Sequence, residues 1–215
     1  MTRLFNRFGM FVPWTMLLAV MLVVFVAAQP AQAEQRPGTL LRETVDQLLD
    51  ELSNNRPKYE ADKCQLYSVV NRLVLPLFAI DKINRLILGK HFKAANPEMR
   101  SRFTDAFMKM MIRTYATAMF EYTDQELVLK PPEILEFDKS AGTALLRHRV
   151  PVSGQAPVLV DYVLRRTTDG HWQILDIKID HISLVLTYRL QYDHMIRKKG
   201  FELLLFTLEK KVEDC

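Results

Sequence analysis

Along the chain the apolar positions first fall at helical spacing, then alternate, and then return to helical spacing. Over residues 41–52 they sit at Leu41, Val45, Leu48, Leu49 and Leu52, three and four apart, which predicts a helix buried on one face. A second helix is expected over 58–75, stopped by Pro76. A third, short one starts near Asp81, carries Ile83, Leu86 and Ile87, and ends at Gly89, a residue suited to helix termination. The fourth has the clearest start: Asn96 as a cap, Pro97 in the first turn and Glu98 facing the positive end of the dipole. Its inward stripe reads Phe103, Phe107, Met110, Met111, Thr114, Tyr115, Ala118 and Tyr122.

Pro131-Pro132 ends the helical region, and strands are expected over 133–137, 143–152, 158–166 and 172–179. Thr168-Asp169-Gly170 is a tight turn that makes the last two a hairpin. In the third strand Val158, Val160, Tyr162 and Leu164 form an inward set, and Leu159, Asp161, Val163 and Arg165 a mixed outer set. Two helices follow, over 184–199 with the basic last turn Arg197, Lys198 and Lys199, and over 201–212, separated by Gly200. This order predicts a single α+β domain over 34–215, its helices packed on a curved antiparallel sheet of about four strands, with an apolar cavity between the layers.

The first 33 residues have a different organisation. Arg3 and Arg7 precede an apolar run over 10–28, and Ala31-Gln32-Ala33 supplies a small-x-small cleavage pattern. Together they predict a secretory signal peptide removed before Glu34; the competing reading is a retained membrane anchor, since the run approaches the length of a spanning helix. Without Arg3 and Arg7 the 29 basic side chains fall to 27, against 25 acidic ones. That near-balance, with no basic stripe interleaved with aromatics, argues against a nucleic-acid partner. Export would place Cys64 and Cys215 in an oxidising compartment that permits a bridge between them, and an incidental thiol pair is the alternative. His91, His148, His171, His181 and His194 are scattered, and with the two cysteines they make no metal-ligand spacing.

Three ordered segments carry a resemblance. The first is Asp81-Lys82-Ile83-Asn84-Arg85-Leu86-Ile87-Leu88-Gly89, then Lys90-His91-Phe92 and Asn96-Pro97-Glu98-Met99-Arg100, continued by Phe103, Phe107, Tyr115 and Tyr122. The second runs from Trp172 to Asp176 and on to Ile182-Ser183-Leu184-Val185; the third is Thr187-Tyr188-Arg189-Leu190-Gln191-Tyr192, ending in Gly200 and the last amphipathic helix. With the leader in front, this series resembles the MlaC family, also called the toluene-tolerance family, of periplasmic phospholipid-binding proteins. One position departs from the family pattern: His181 stands where a glycine is usual.

The resemblance implies a periplasmic carrier, not an enzyme, that moves phospholipid between the outer and inner membranes and so maintains outer-membrane lipid asymmetry. Its implied partners are an outer-membrane lipoprotein–porin complex and an inner-membrane ABC transporter complex with a membrane-anchored lipid-binding subunit. The phospholipid is cargo, and no metal or other cofactor is expected. Periodicity gives a lining of Ile83, Leu86, Ile87, Phe103, Phe107, Met110, Met111, Tyr115, Val160, Tyr162, Leu164, Trp172 and Ile174. Tyr115, Tyr162, Tyr188 and Arg189 are candidates for a polar mouth. Two other readings compete: a small pocketed enzyme with Asp161, Asp176 and Tyr162 at its site, and an adaptor with a filled core and no lipid.

Overall fold

A computed structural model describes residues 36–122, 130–152 and 154–213, all within one compact unit that runs from Gln35 to Cys215. Residues 1–35, among them the expected leader, lie outside the described residues, as do Ser153, Cys215 and the side chain of Tyr122. Cys64 is disulfide-bonded, and Cys215, the chain's other cysteine, is among the residues outside that description.

The helical layer contains α1 (Thr39–Asn54), α2 (Arg56–Ala61), α3 (Lys63–Val74), α4 (Ile80–Leu88), α5 (His91–Ala94) and α6 (Pro97–Tyr122), followed after the strands by α7 (Leu184–Lys199) and α8 (Phe201–Lys210). The helix expected over 58–75 is divided in two. Asp62 adopts an extended conformation and its carboxylate accepts from the Cys64 backbone N–H at 2.9 Å, so one residue ends α2 and caps α3. Asn96 performs the cap expected of it, accepting from the Met99 N–H at 2.8 Å.

The sheet has five antiparallel strands in sequential order: β1 (Glu133–Asp138), β2 (Thr143–Val150), β3 (Val158–Arg166), β4 (Trp172–Ile179) and the two-residue β5 (Ile182–Ser183). Register defines its faces. Ala144, Leu146 and His148 stand opposite Leu164, Tyr162 and Val160, which in turn oppose Ile174, Ile177 and Ile179. These residues make the inner face. A bulge between Val163 and Leu164 and another between Ile134 and Glu136 break the regular pairing, and such bulges bend the strands that carry them. The outer face holds Arg147 directly opposite Asp161, joined by two hydrogen bonds of 2.5 and 2.7 Å.

β5, too short to signal itself through alternation, is created by the Asp180-His181 turn. Both residues have positive φ, 45° and 70°, and they join the paired residues Ile179 and Ile182, the two-residue hairpin geometry that matches strand twist. His181 therefore occupies a left-handed conformation that a glycine would adopt at no steric cost.

Candidate functional site

The inner face of the sheet differs between its two ends. At one end Leu164, Trp172 and Ile174 join Leu41, Leu77, Ala144 and Leu146 in a closed core. The segment before α1 presses onto this core so tightly that a Cβ on Gly38 would stand 2.9 Å from Leu146 Cδ1. A void of about 10 Å³ is left there. Toward the other end Val160, Tyr162, Ile177 and Ile179 are half-buried, with Tyr162 and Ile177 packed against the margin of that core. His148 is buried beside them on β2, its Nδ1 3.2 Å from the Tyr162 hydroxyl. Burial lowers the His148 pKa, against a weaker upward pull from Asp46, and burial raises that of Tyr162. Both groups are thus held neutral on an apolar wall.

The helical layer carries half-buried residues of its own on α6 and α7. Helix α6 serves two separate cores. Phe103, Ala106, Phe107 and Met110 pack with α4, α7 and α8 around Ile83, Ile87, Tyr192 and Leu204. Ala116 and Phe120 pack with α1, α2 and α3 around Leu52, Tyr59 and Leu66. Between these two flanks, in the helical projection, lie Met111 and Tyr115, both half-buried. The Tyr188 hydroxyl of α7 has that of Tyr115 as a neighbour, and its pKa is raised to about 12, first by burial and then by that neighbour. The Tyr188 ring is fixed edge-on against Phe107 at 5.2 Å.

The expected lining is therefore sorted by burial. Ile83, Ile87, Phe103, Phe107 and Met110 are core residues of the helical layer, and Leu164, Trp172 and Ile174 are core residues of the closed sheet end. Met111, Tyr115, Val160 and Tyr162 are the half-buried set. Leu86 stands apart at 41% exposed, off the face that Ile83 and Ile87 bury. Sequence reasoning missed Ile177 and Ile179 on the inner face, because the β-bulge shifts the register of β4 and alternation from Ile174 passes them by. The five methionines of α6 divide as well: Met99, Met108, Met110 and Met111 pack with one helical core and Met119 with the other.

The Asp/Tyr constellation of the enzyme reading is not assembled. Asp161 is 3% exposed on the outer face, paired with Arg147, while Tyr162 points inward. Asp176 accepts from the Ser183 hydroxyl at 2.6 Å and from the Val185 N–H at 3.0 Å, fastening the start of α7. Among the described residues no group of His, Cys, Asp and Glu could hold a metal ion, and no helix is long and apolar enough to cross a membrane.

The model of the family described as "MlaC protein" matches residues 42–210. The chain belongs to the MlaC protein family. The intermembrane phospholipid transport system binding protein MlaC of Haemophilus influenzae is 22% identical over 198 residues, covering 92% of each chain. Toluene tolerance protein ttg2D of Pseudomonas putida is 26% identical over 185 residues, covering 85% of this chain and 84% of its own. Among solved structures, the phospholipid-binding protein of Ralstonia solanacearum, determined in complex with a phospholipid, superimposes with a TM-score of 0.74. It is 20% identical and covers 84% of this chain and 98% of its own, and it shows that the two chains share a fold.

Proposed function

We propose that this MlaC-family protein is a periplasmic phospholipid carrier that holds acyl chains between the open end of the inner sheet face and helices α6 and α7. The observation that carries this reading is the contrast within one face. The end bearing Trp172 is packed shut, whereas the end bearing Val160, Tyr162, Ile177 and Ile179 keeps apolar side chains partly accessible, as are Met111 and Tyr115 of α6. Each methylene removed from water contributes about 0.8 kcal/mol, so such a surface favours long hydrocarbon chains and needs no covalent chemistry to keep them. The Tyr115–Tyr188 hydroxyl pair offers hydrogen bonds at the edge of that surface to ester or phosphate oxygens.

In this account the leader over 1–33 directs export and is removed. The mature protein moves phospholipid between an outer-membrane lipoprotein–porin complex and an inner-membrane ABC transporter with its membrane-anchored lipid-binding subunit, and so preserves outer-membrane lipid asymmetry. The names of the Haemophilus and Pseudomonas relatives and the phospholipid in the Ralstonia structure support the ligand class.

Substitution of the half-buried set tests the pocket. Met111→Glu and Val160→Glu each place a charge against hydrocarbon, and the folded variants are expected to purify with less than about a tenth of the wild-type phospholipid, since an unpaired charge beside a buried chain costs several kcal/mol. Wild-type phospholipid content in both variants, with native circular dichroism, would remove this surface from the binding site. Asp161→Asn, which alters only the outer face, is expected to keep its phospholipid.

A further inference from the structure

Leu86 and Arg189, both expected at the lipid site, stand exposed where α4 packs against α7. The two helices share a core, Ile83 and Ile87 of α4 packing with Val185, Tyr188 and Tyr192 of α7. Beside that core they meet at Gly89, the end of α4, where a Cβ would touch the Arg189 guanidinium at 3.3 Å. Arg85 precedes Gly89 by one helical turn, and positions so spaced are about 5–6 Å apart, so Arg85 and Arg189 occupy neighbouring positions. Arg85 is held over the Phe92 ring, 4.5 Å from its centroid. Among the described residues no carboxylate forms an ion pair with either arginine. Asp193, one turn after Arg189, is engaged instead by Lys90, His91 and Arg197 at 3.1, 2.8 and 3.0 Å. Asp81 stays in the first turn of α4, where it complements the helix dipole.

Leucines flank these cations. Leu86 follows Arg85 on α4, and on α7 Leu186 and Leu190 are 54% and 63% exposed, one helical turn apart on either side of Arg189. Lys82, also exposed, adds a cation one turn before Leu86. Two neighbouring guanidiniums repel one another, and their forked donors match the oxygens of phosphate. Leucines this exposed project from the helices, which suits a yielding headgroup layer, whereas a rigid partner needs a fitted pocket for each. Leucines bordered by Lys and Arg are the composition of a surface that lies on an anionic bilayer. We propose that this α4–α7 face docks on an anionic bilayer surface, Arg85 and Arg189 meeting lipid phosphates while Leu86, Leu186 and Leu190 enter the headgroup layer. The proposal does not depend on a lipid in the sheet-side pocket.

The test is co-sedimentation of the mature protein with vesicles of equal parts phosphatidylglycerol and phosphatidylcholine, and with vesicles of phosphatidylcholine alone. Binding to the anionic vesicles is expected to be about tenfold tighter or more at low salt, and to be lost at about 1 M salt, where charges are screened within about 3 Å. Arg85→Gln and Arg189→Gln are each expected to weaken it roughly fivefold, the effect of one basic side chain near an anionic surface. Leu190→Glu is expected to abolish it. All three positions are exposed, and native circular dichroism separates lost docking from lost fold. Leu190→Trp is expected to keep binding and to shift its emission to the blue on anionic vesicles, whereas the wild type, whose Trp172 is buried, shows no shift. Inorganic phosphate at constant ionic strength is expected not to release the protein. Equal binding to both vesicles, full binding by the double variant Arg85→Gln/Arg189→Gln, or release by inorganic phosphate would each overturn the proposal. So would the absence of binding to either vesicle, which would leave the face to a protein partner. Carried lipid is measured separately on protein that has met no vesicles, where every variant is expected to match the wild type, so a failure of the carrier reading shows there and not in the sedimentation.

Discussion

Asp161 shows how one carboxylate can matter to the fold while standing outside the site. Its bidentate hydrogen bonds with Arg147 hold its pKa below the ordinary carboxylate range, the guanidinium outweighing burial. A folded-state pKa below the unfolded value of about 3.9 means that the pair's stabilisation is complete above that pH and is lost as pH falls through the lower, folded value. Asp161→Asn leaves the Arg147 guanidinium without its counter-charge and is expected to lower stability at pH 7 in urea denaturation. The difference between variant and wild type is expected to shrink below about pH 4, and a gap independent of pH would contradict the ionic origin. His181 makes the opposite prediction. Its left-handed φ of 70° strains a residue that bears a Cβ, so His181→Gly is expected to stabilise the protein by about 1 kcal/mol in thermal unfolding. A lower melting temperature would show that the imidazole makes a compensating contact.

At the scale of elements, the start of α7 depends on two side chains acting together. Ser183 Oγ accepts from the Leu186 N–H at 3.0 Å and donates to Asp176, which also accepts from the Val185 N–H. Asp176→Ala removes one cap and frees the other, an expected cost of about 1–2 kcal/mol. Hydrogen exchange is expected to rise at Val185 and Leu186 first; faster exchange spread evenly over the chain would indicate global destabilisation instead. Most of these elements are legible in the sequence because the physics that makes them is local. The Asn96-Pro97-Glu98 start, the Gly89 and Gly200 ends and the alternation of Val158, Val160, Tyr162 and Leu164 each leave a mark within a few residues. The break at Asp62 leaves a weaker mark, because an aspartate inside a helical pattern reads equally well as an exposed helix residue. β5 leaves none, since two residues cannot alternate and its turn uses Asp180 and His181 where glycine or asparagine would have announced it.

At the scale of the whole molecule, the site is less legible than the fold. Periodicity places Trp172, Ile174, Val160 and Tyr162 on one face, yet it cannot tell which end of that face the rest of the chain covers. The answer comes from Gly38, Leu41 and Leu77, distant in sequence, which close the end that holds Trp172. Helix α6 poses the same problem. Its broad apolar surface divides into two core-facing flanks, with Met111 and Tyr115 between them, and only the positions of its neighbouring helices draw those boundaries. The resemblance to the MlaC family implies the ligand class, whereas packing shows which part of the apolar surface stays partly accessible. The most direct measurement is native mass spectrometry of the mature protein taken from the periplasm, followed by lipid extraction of the same sample. Phospholipid bound at near-integral stoichiometry is the predicted result. A mass that corresponds to protein alone, unchanged after incubation with phospholipid vesicles, would contradict the carrier account.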